Sequence, residues 1–352
     1  MKILVLGGTG AIGVPLVNKL SLKHEVFVTS RSARKSENNI NYIEGNAKDT
    51  LFLFDLLSQG FDIVIDLMVY NSNEFKERID CILQNVGKYI FFSSARCFAE
   101  TNQKINEFSP RLLDVSKDDV FLNTDDYALA KAREENLLFS SKQHNWTILR
   151  PYITFNTYRL QLGPYEKEMW LYRVLKGRTL IIPKDIYYSI TTLTYALDLA
   201  ECISRLIESD DTDRQVYNIV SSESHTWEKI FEMYSVVINK KLGKLPKYKL
   251  IDSSKDLEQL VDKYQIKYGR KYNRSFDNTK LLDEIGEYEF NPVYNSIVKC
   301  IDEFLINPKW LNISPKFEAW SVRISGEYTP LKEFDSLTDK IRYIKWRFLR
   351  KP

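Results

Sequence analysis

Lys2-Ile3-Leu4-Val5-Leu6-Gly7-Gly8-Thr9-Gly10-Ala11-Ile12-Gly13 is the stretch that decides the fold of this chain. Its first five residues predict a buried parallel strand, and the apolar spacing from Val14 to Leu20 predicts a helix after the glycine-rich turn. Gly7 permits the tight turn, Gly10 lets the backbone approach a pyrophosphate, and Gly13 lets the helix pack close to the strand. The other turn residues expected to contact a bound dinucleotide are Thr9, Ala11 and Ile12.

Apolar segments that predict strands alternate with helical segments over the first 150 residues. The predicted strands after the first are Glu25–Thr29, Ile40–Ile43, Asp62–Leu67, Lys88–Phe92 and Trp146–Leu149. This alternation predicts an α/β fold with a doubly wound parallel sheet of the Rossmann type and a smaller C-terminal substrate lobe. We expect residues 1–150 to form the dinucleotide-binding domain and residues 151–305 a substrate-binding lobe interleaved with the last sheet strands. Residues 306–352 form a C-terminal extension with a basic, aromatic helix.

The composition of the 352 residues argues against several classes of protein. Hydrophobic residues make up 44%, the formal net charge is +3, and no run of about 18 apolar residues predicts a membrane span. The charge is too small to indicate nucleic-acid binding. The four cysteines are scattered and none of the three histidines lies in a catalytic or metal-binding setting, so we expect no metal site and no disulfide framework. The chain enters a strand at once, which leaves no room for a signal peptide, and we expect a cytoplasmic protein.

The end of the second predicted strand indicates which dinucleotide is bound. An NAD enzyme normally places a carboxylate there to bond the ribose 2′-hydroxyl, whereas this chain has Thr29-Ser30-Arg31-Ser32. Arg31 and the nearby Arg34, beside Ser30, are suited to charge-assisted bonds with a 2′-phosphate. NADP(H) is therefore favoured. NAD(H) stays open, because Arg31 can also be a solvated loop charge or stack on the adenine.

Tyr127-Ala128-Leu129-Ala130-Lys131 carries the chemistry that the sequence predicts. Residues four apart share a helix face, so the Lys131 ammonium can lie near the Tyr127 hydroxyl and favour its ionised form. A tyrosine hydroxyl needs such help to act as an acid or base near neutral pH. Ser94 follows the fifth strand, at the edge where open α/β sheets bind ligands, and its hydroxyl can hold a substrate oxygen beside Tyr127. The alternative is a core tyrosine with a surface lysine, since this spacing is common on any helix.

The features that carry a resemblance to a known family are spread over the first 151 residues. They are the glycines Gly7, Gly10 and Gly13, the serine Ser94, the Tyr127/Lys131 pair, and Leu149-Arg150-Pro151. Together they resemble the extended short-chain dehydrogenase/reductase superfamily, in its NAD-dependent epimerase/dehydratase group acting on nucleotide sugars. The resemblance implies that the tyrosine exchanges a proton with a sugar oxygen, that the lysine also holds the nicotinamide ribose, and that the serine orients the substrate. It adds Asn46 and Leu67 to the expected cofactor contacts.

Departures from the family pattern affect the expected substrate site. Thr191 stands where many members have an arginine that grips the nucleotide diphosphate, and Arg96-Cys97-Phe98 replaces the usual Val-Tyr after the serine. The missing arginine, together with a segment from Met68 to Gly87 that is shorter than in typical epimerases, resembles an atypical branch that includes chloroplast stem-loop-binding proteins. The candidates for substrate contact in this chain are Arg96, Arg150, Tyr152, Arg159 and Arg178.

Three classes of function stay open at this point. The favoured one is an NADP(H)-dependent reductase of a sugar carbonyl, on a nucleotide-activated sugar or sugar alcohol for polysaccharide synthesis. The second is a nucleotide-sugar epimerase or dehydratase that keeps NAD(P) tightly bound. The third is a non-enzymatic, RNA-binding member of the fold, which would have no physical reason to keep Ser94, Tyr127 and Lys131 together.

The tail from Lys340 to Lys351 is basic and aromatic and contains no acidic residue. The segment from Ser336 to Asp339 predicts a helix cap, and Ile341, Ile344 and Phe348 would share one helix face. Docking of this helix on its own or a neighbouring subunit is favoured. Contact with an anionic membrane surface or with nucleic acid stays open. We also expect a homodimer.

Overall fold

The computed structural model describes residues 1–209 and 211–349. Arg350 and Lys351, which end the predicted basic tail, therefore lie outside the described residues. The strands are β1 (Lys2–Leu6), β2 (Glu25–Ser30), β3 (Ile40–Glu44), β4 (Phe61–Asp66), β5 (Val86–Phe92), β6 (Trp146–Pro151), β7 (Thr154–Phe155), β8 (Leu180–Pro183), β9 (Ile190–Thr191), β10 (Thr194–Tyr195), β11 (Gln215–Ile219), β12 (His225–Thr226) and β13 (Tyr248–Ile251).

The α-helices are α1 (Gly13–Leu20), α2 (Thr50–Leu57), α3 (Ser72–Lys76), α4 (Ile79–Asn85), α5 (Leu112–Val115), α6 (Asp119–Leu122), α7 (Tyr127–Phe139), α8 (Leu171–Leu175), α9 (Lys184–Tyr187), α10 (Ala196–Leu206), α11 (Trp227–Leu242), α12 (Lys263–Gln265), α13 (Thr279–Ile285), α14 (Val293–Ile306), α15 (Pro315–Ser325) and α16 (Leu337–Ile344). Short 3₁₀ turns occupy Ala95–Cys97, Lys255–Gln259 and Leu331–Glu333, and π-helical turns occupy Ile266–Arg270 and Lys345–Leu349.

The described chain forms two compact units, each built from separate segments. The first unit comprises residues 1–154, 192–223 and 274–291, and the second comprises residues 155–191, 224–273 and those from 292 onward. The predicted segment 151–305 is therefore divided between the two units, because β11 and α13 belong to the first. Residues from 306 onward belong to the second unit and do not form a separate body.

A seven-stranded sheet, counted over the described residues, organises the first unit. Its order is β11-β6-β5-β4-β1-β2-β3, and its neighbouring strands run parallel. This confirms the α/β fold with a doubly wound sheet of the Rossmann type. The strand order reverses at β1, so the crevice at the carboxyl ends of β1 and β4 is where such a sheet binds ligands.

Both faces of this sheet are buried, which explains why its strands are continuous apolar runs rather than alternating ones. In β1, Ile3 and Val5 pack with α1 and α10 on one side, whereas Leu4 and Leu6 pack with α2 and α4 on the other. Each fully buried side chain of this size contributes about 1.5–3 kcal/mol of hydrophobic free energy. The strand ends that carry the candidate site are thus fixed by a core on both sides.

Several predicted helices differ from those in the structure. The apolar spacing over 49–58 predicts a helix with Leu51 facing inward, but this side chain is exposed, because Leu53, Leu56 and Leu57 form the buried face of α2. The sequence also predicts single helices over 73–85 and 166–176. The structure divides the first into α3 and α4 and confines the second to α8. In the first case the chain bends before α4, where the buried Arg78 side chain donates to the carbonyl oxygens of Ala47 and Lys48.

A buried ionic cluster holds the C-terminal helices within the second unit. The Arg173 guanidinium on α8 lies 2.7 Å from the Glu318 carboxylate on α15, and Thr329 donates to the same carboxylate oxygen at 2.7 Å. Arg178 also contacts Glu318, at 3.3 Å, and pairs with Glu333. Three donors therefore surround one buried carboxylate. Among the described helices none is both long enough and apolar enough to cross a bilayer.

Candidate functional site

The glycine turn after β1 has the geometry that its sequence predicts. Gly7 has φ +74°, a left-handed conformation that favours glycine, and its N–H donates to Thr29 Oγ1 at 3.1 Å. A Cβ on Gly13 would lie 2.5 Å from the Cα of Gly8, so the start of α1 can approach the turn only with glycine there. Around Gly10, by contrast, the nearest atom to an added Cβ is Gly7 O at 4.0 Å. The turn therefore leaves open space where a pyrophosphate would approach, and these residues fit a dinucleotide.

Gly8 is a turn residue whose role the sequence did not reveal. It is buried, and a Cβ there would meet Val28 Cγ1 at 2.8 Å and Val17 Cγ2 at 3.0 Å. Both contacts come from elements distant in sequence, β2 and the middle of α1. The second glycine of a Gly-Gly pair was the only available signal. Thr9, Ala11 and Ile12 lie in the same turn and are partly accessible.

The residues predicted to determine whether NAD or NADP is preferred lie at the end of β2. Ser30 is buried, and its Oγ donates to Ser32 O at 2.9 Å and accepts from Arg34 Nε at 3.3 Å. The Arg34 guanidinium lies 5.7 Å from the centre of the Tyr42 ring, while Arg31 is exposed to solvent. A cofactor 2′-phosphate would meet two cations here, one of them already oriented by a hydroxyl and an aromatic ring. Asn46 is exposed beyond β3, where its Oδ1 accepts from Lys48 N–H at 3.1 Å.

Arg96 links the two predicted catalytic residues Ser94 and Tyr127. Its backbone N–H donates to Ser94 Oγ at 3.2 Å, directly after β5. Its guanidinium pairs with Asp126 at 3.2 Å and lies 5.6 Å from the centre of the Tyr127 ring. Asp126 also caps α7 by accepting from the Ala128 N–H at 3.0 Å, which places Tyr127 as the first residue of the helix. The structure thus places Ser94 and Tyr127 at one edge of the sheet, and Arg96 contacts both of them.

Lys131 is directed toward a partner that the sequence analysis did not identify. Its ammonium lies 2.9 Å from Glu134 Oε2, 3.5 Å from Met68 O and 4.5 Å from the centre of the Phe91 ring. Lys131 thus forms a buried ion pair, because the i+3 position of α7 carries a carboxylate on the same side. The predicted support of Tyr127 by Lys131 stays a prediction. Burial raises the pKa of Glu134 to about 7, although Lys131 opposes the increase.

A second buried carboxylate, Asp66, lies at the end of β4. It accepts from Met68 N–H at 2.9 Å, from the Tyr89 hydroxyl at 2.9 Å and from the Tyr70 hydroxyl at 3.1 Å. Burial raises the pKa of Asp66, and these hydrogen bonds together with the Lys131 charge oppose the increase. The signal in the sequence is an acid, Asp66, directly after the apolar run Ile63-Val64-Ile65. The next residue, Leu67, is partly accessible and donates its N–H to Leu6 O at 3.0 Å.

Glu135 lies on α7 and anchors this helix to β5 and β6. Arg150 holds it with two bonds of 2.7 Å, Arg111 contributes a third at 3.0 Å, and the Ser93 hydroxyl donates to it at 2.5 Å. Arg150 is buried and also donates to Glu107 O. The Arg150 donors are used to fix α7 against β5 and β6, and its contact with a substrate stays a prediction.

The remaining substrate candidates are Tyr152 in the first unit and Arg159 and Arg178 in the second. Tyr152 is buried, with its ring 5.3 Å from that of Phe276, and Arg159 in the second unit pairs with Glu166 at 3.2 Å while staying partly exposed. Arg178 belongs to the buried ionic cluster of the second unit, and its contact with a substrate stays a prediction. Within the first unit, Arg96 lies beside Ser94 and Tyr127. Among the described residues no group of three or more His, Cys, Asp or Glu side chains is placed to hold a metal ion.

Comparison with known proteins identifies a family and a shared fold. The model of the NAD dependent epimerase/dehydratase family matches residues 3–220. No curated protein matches the chain. The UDP-N-acetylglucosamine 4-epimerase from Methanobrevibacter ruminantium M1, solved with UDP-N-acetylmuramic acid, is 21% identical with a TM-score of 0.67, covering 87% of this chain and 98% of its own.

Two further solved structures share the fold at the same TM-score of 0.67. The UDP-glucuronic acid 4-epimerase from Bacillus cereus, solved with NAD, is 17% identical and covers 88% of this chain and 99% of its own. The dTDP-glucose 4,6-dehydratase from Bacillus anthracis, also solved with NAD, is 14% identical and covers 88% of this chain and 98% of its own. At these identities the likeness shows the fold alone.

Proposed function

This chain belongs to the NAD-dependent epimerase/dehydratase family, and on that premise we propose that it is a nucleotide-sugar epimerase or dehydratase. It would oxidise a carbon of the sugar and reduce the substrate again within one catalytic cycle, keeping its nicotinamide cofactor bound. The solved structures that share its fold include two 4-epimerases and a 4,6-dehydratase of nucleotide sugars. We therefore rank this function above the NADP(H)-dependent reductase that the sequence analysis favoured.

The observation that carries the proposal is the arrangement of Ser94, Arg96 and Tyr127. The Ser94 Oγ, fixed by the Arg96 N–H, is available to orient a sugar hydroxyl. The Tyr127 hydroxyl would take the proton from that hydroxyl and later return it. The Arg96 guanidinium, 5.6 Å from the centre of the Tyr127 ring, stabilises negative charge that develops there. A protein that only binds a ligand would not need this combination.

The residues that would hold the cofactor are the glycine turn at Gly7, Gly10 and Gly13, together with Leu67 beside it. When bound, the nicotinamide supplies reversible hydride transfer at the sugar carbon. Lys131 would hold the ribose hydroxyls and support the charge on Tyr127 after release from Glu134. We propose that this release accompanies cofactor binding, since the ammonium and the carboxylate are paired in the present conformation.

The second candidate is the NADP(H)-dependent reductase of a sugar carbonyl, which would consume NADPH in each turnover. The arrangement at the end of β2 favours it, because Arg34 is oriented by Ser30 and Tyr42 and no carboxylate follows the strand before Glu37. A cofactor with only a 2′-hydroxyl would leave both arginines without a phosphate. The cofactor preference therefore distinguishes the two functions.

The test is mass spectrometry of the small molecules released when freshly purified protein is denatured, followed by titration of NADH and NADPH onto the emptied protein. Stoichiometric NAD would support the epimerase or dehydratase. An empty protein that binds NADPH more tightly than NADH would favour the reductase, and a protein that binds neither would overturn both. Sedimentation of the same sample would test the proposed homodimer.

Tyr127→Phe tests the proton transfer. We expect turnover to fall by about 10²- to 10⁴-fold, the usual range for losing a general acid or base, with cofactor affinity kept. Tyr158→Phe is the matched control, because Tyr158 is an exposed tyrosine of the second unit. Unchanged turnover in Tyr127→Phe would contradict the mechanism.

A further inference from the structure

The C-terminal helix presents an apolar stripe to solvent. We define this stripe as Leu337, Ile341, Ile344 and Phe348, whose side chains are 72%, 57%, 41% and 67% exposed. Their spacing of four, three and four residues places them on one face of α16 and its π-helical continuation. Single exposed apolar side chains are common on protein surfaces, whereas four large ones side by side indicate an interaction surface.

The opposite face of the same helix is docked. Tyr343 is buried in a small core with Ala319 and Val322 of α15, and its ring lies 5.0 Å from that of Phe334. Ser336 Oγ accepts the Asp339 N–H at 3.0 Å, which confirms the predicted cap. The helix therefore has a fixed orientation, and its apolar stripe faces away from the unit that holds it.

The charges beside the stripe are all positive. Residues 340–349 contain four basic side chains and no acid. Arg342 pairs with Asp339 at 2.9 Å, and Arg347 donates to the Tyr343 hydroxyl at 3.1 Å, so these two are partly used in holding the helix. Lys340 and Lys345, one on each side of the stripe, have no carboxylate partner among the described residues.

We propose that this face binds an anionic phospholipid surface, with the stripe in the acyl boundary and Lys340 and Lys345 at the headgroups. An amphipathic helix lying in the plane of a membrane has this combination of a narrow apolar face and flanking lysines. A second copy of the chain fits less well, because stripe-to-stripe contact would bring two sets of lysines together. Nucleic acid fits less well because the centre of the face is aliphatic. The inference goes beyond the proposed function and does not depend on it.

The test is co-sedimentation of the full chain with phospholipid vesicles. We expect binding to vesicles with about 30 mol% phosphatidylserine, weak binding to phosphatidylcholine alone, and release at about 0.5 M salt. The double variant Ile344→Ser/Phe348→Ser should bind at least about tenfold more weakly, because it removes the apolar anchor. Leu22→Ser is the matched control, since Leu22 is a similarly exposed leucine in the first unit.

A second variant isolates the charges and keeps the proposal testable if the first one folds poorly. Lys340→Gln/Lys345→Gln should weaken binding to anionic vesicles by about 25-fold, at about fivefold per lysine. Lys244→Gln/Lys247→Gln changes the net charge equally at an exposed site elsewhere, and should bind as the unaltered protein does. Tyr127→Phe should also bind vesicles normally, which separates this inference from the catalytic proposal.

Three results would overturn the inference. They are no sedimentation of the unaltered protein with anionic vesicles, equal losses in the stripe variants and their controls, and a self-associating protein that becomes monomeric when the stripe is changed. The last result would identify the stripe as a contact between copies instead.

Discussion

Replacing Glu134 by glutamine is expected to change the number of protons that the protein releases on unfolding. The Glu134 side chain is fully buried on α7, 2.9 Å from the Lys131 ammonium, with Asp66 as a second carboxylate nearby. Burial disfavours its charged form more than Lys131 favours it, so the pKa of Glu134 rises from 4.5 to about 7. The unfolded chain has no such burial. The folded protein therefore holds a proton that the unfolded chain gives up.

The sign and size of the effect on stability follow from the pKa values of Glu134 in the folded protein and in the unfolded chain. Because the folded pKa is raised, Glu134 contributes stability below the unfolded value and loses it as the pH rises through the folded value. The difference of about 2.5 pKa units corresponds to about 3 kcal/mol of unfolding free energy lost between about pH 4.5 and pH 7. Midway in this window, near pH 5.8, unfolding should release about 0.9 proton from this one group.

The assay is a pH-stat measurement of protons released when urea unfolds the protein in weakly buffered solution. The measurement compares only the folded protein with the fully unfolded chain, so it needs no assumption that the two units unfold together. Glu134→Gln should release about 0.9 proton fewer than the unaltered protein near pH 5.8. Glu77→Gln removes a carboxylate exposed on the surface and serves as the control. Equal release from the unaltered protein and Glu134→Gln would refute the reasoning, as would an equal change in both variants.

Three further predictions concern the cofactor turn and the buried charges. Arg31→Ala should weaken NADPH binding by about tenfold with little effect on NADH, through loss of a charge-assisted bond to the 2′-phosphate, and equal losses in the two titrations would contradict it. Gly13→Ala should abolish dinucleotide binding by forcing the start of α1 away from the turn, whereas Gly269→Ala, at a glycine with open space around it, should fold and bind normally in the same titration. Glu318→Gln leaves the buried Arg173 without its charged partner at 2.7 Å, so thermal unfolding should show a loss of about 3–5 kcal/mol that is largely restored in the double variant Glu318→Gln/Arg173→Met.

The family match, and not the geometry of the site, is the reason for proposing an epimerase or dehydratase ahead of the reductase. The expectation of NADP(H) rests on Arg31 and Arg34 at the end of β2 and stays a prediction. The family match adds the epimerase and dehydratase chemistry, which uses the same serine, tyrosine and lysine as a reductase would. These side chains alone do not distinguish a reductase, with one hydride transfer per turnover, from an epimerase or dehydratase, with two. Retention of the cofactor does distinguish them.

The sequence by itself determined the strand-turn-helix at the N-terminus, the βα alternation and the places of Ser94 and Tyr127. These features depend on apolar periodicity and on neighbours a few residues apart, which a single sequence displays directly. Gly7 and Gly13 belong to the same class, because the turn that requires them is local.

Only the tertiary structure decided which charges pair. Arg150 pairs with Glu135, Arg96 with Asp126 and Arg178 with Glu318, across 15, 30 and 140 residues of sequence. Each pairing depends on which elements the sheet and the helices bring together, and no local pattern encodes that distance. Burial also decides the protonation of these groups, which sequence spacing does not reveal. A carboxylate that is excluded from water either pairs with a nearby cation or keeps its proton.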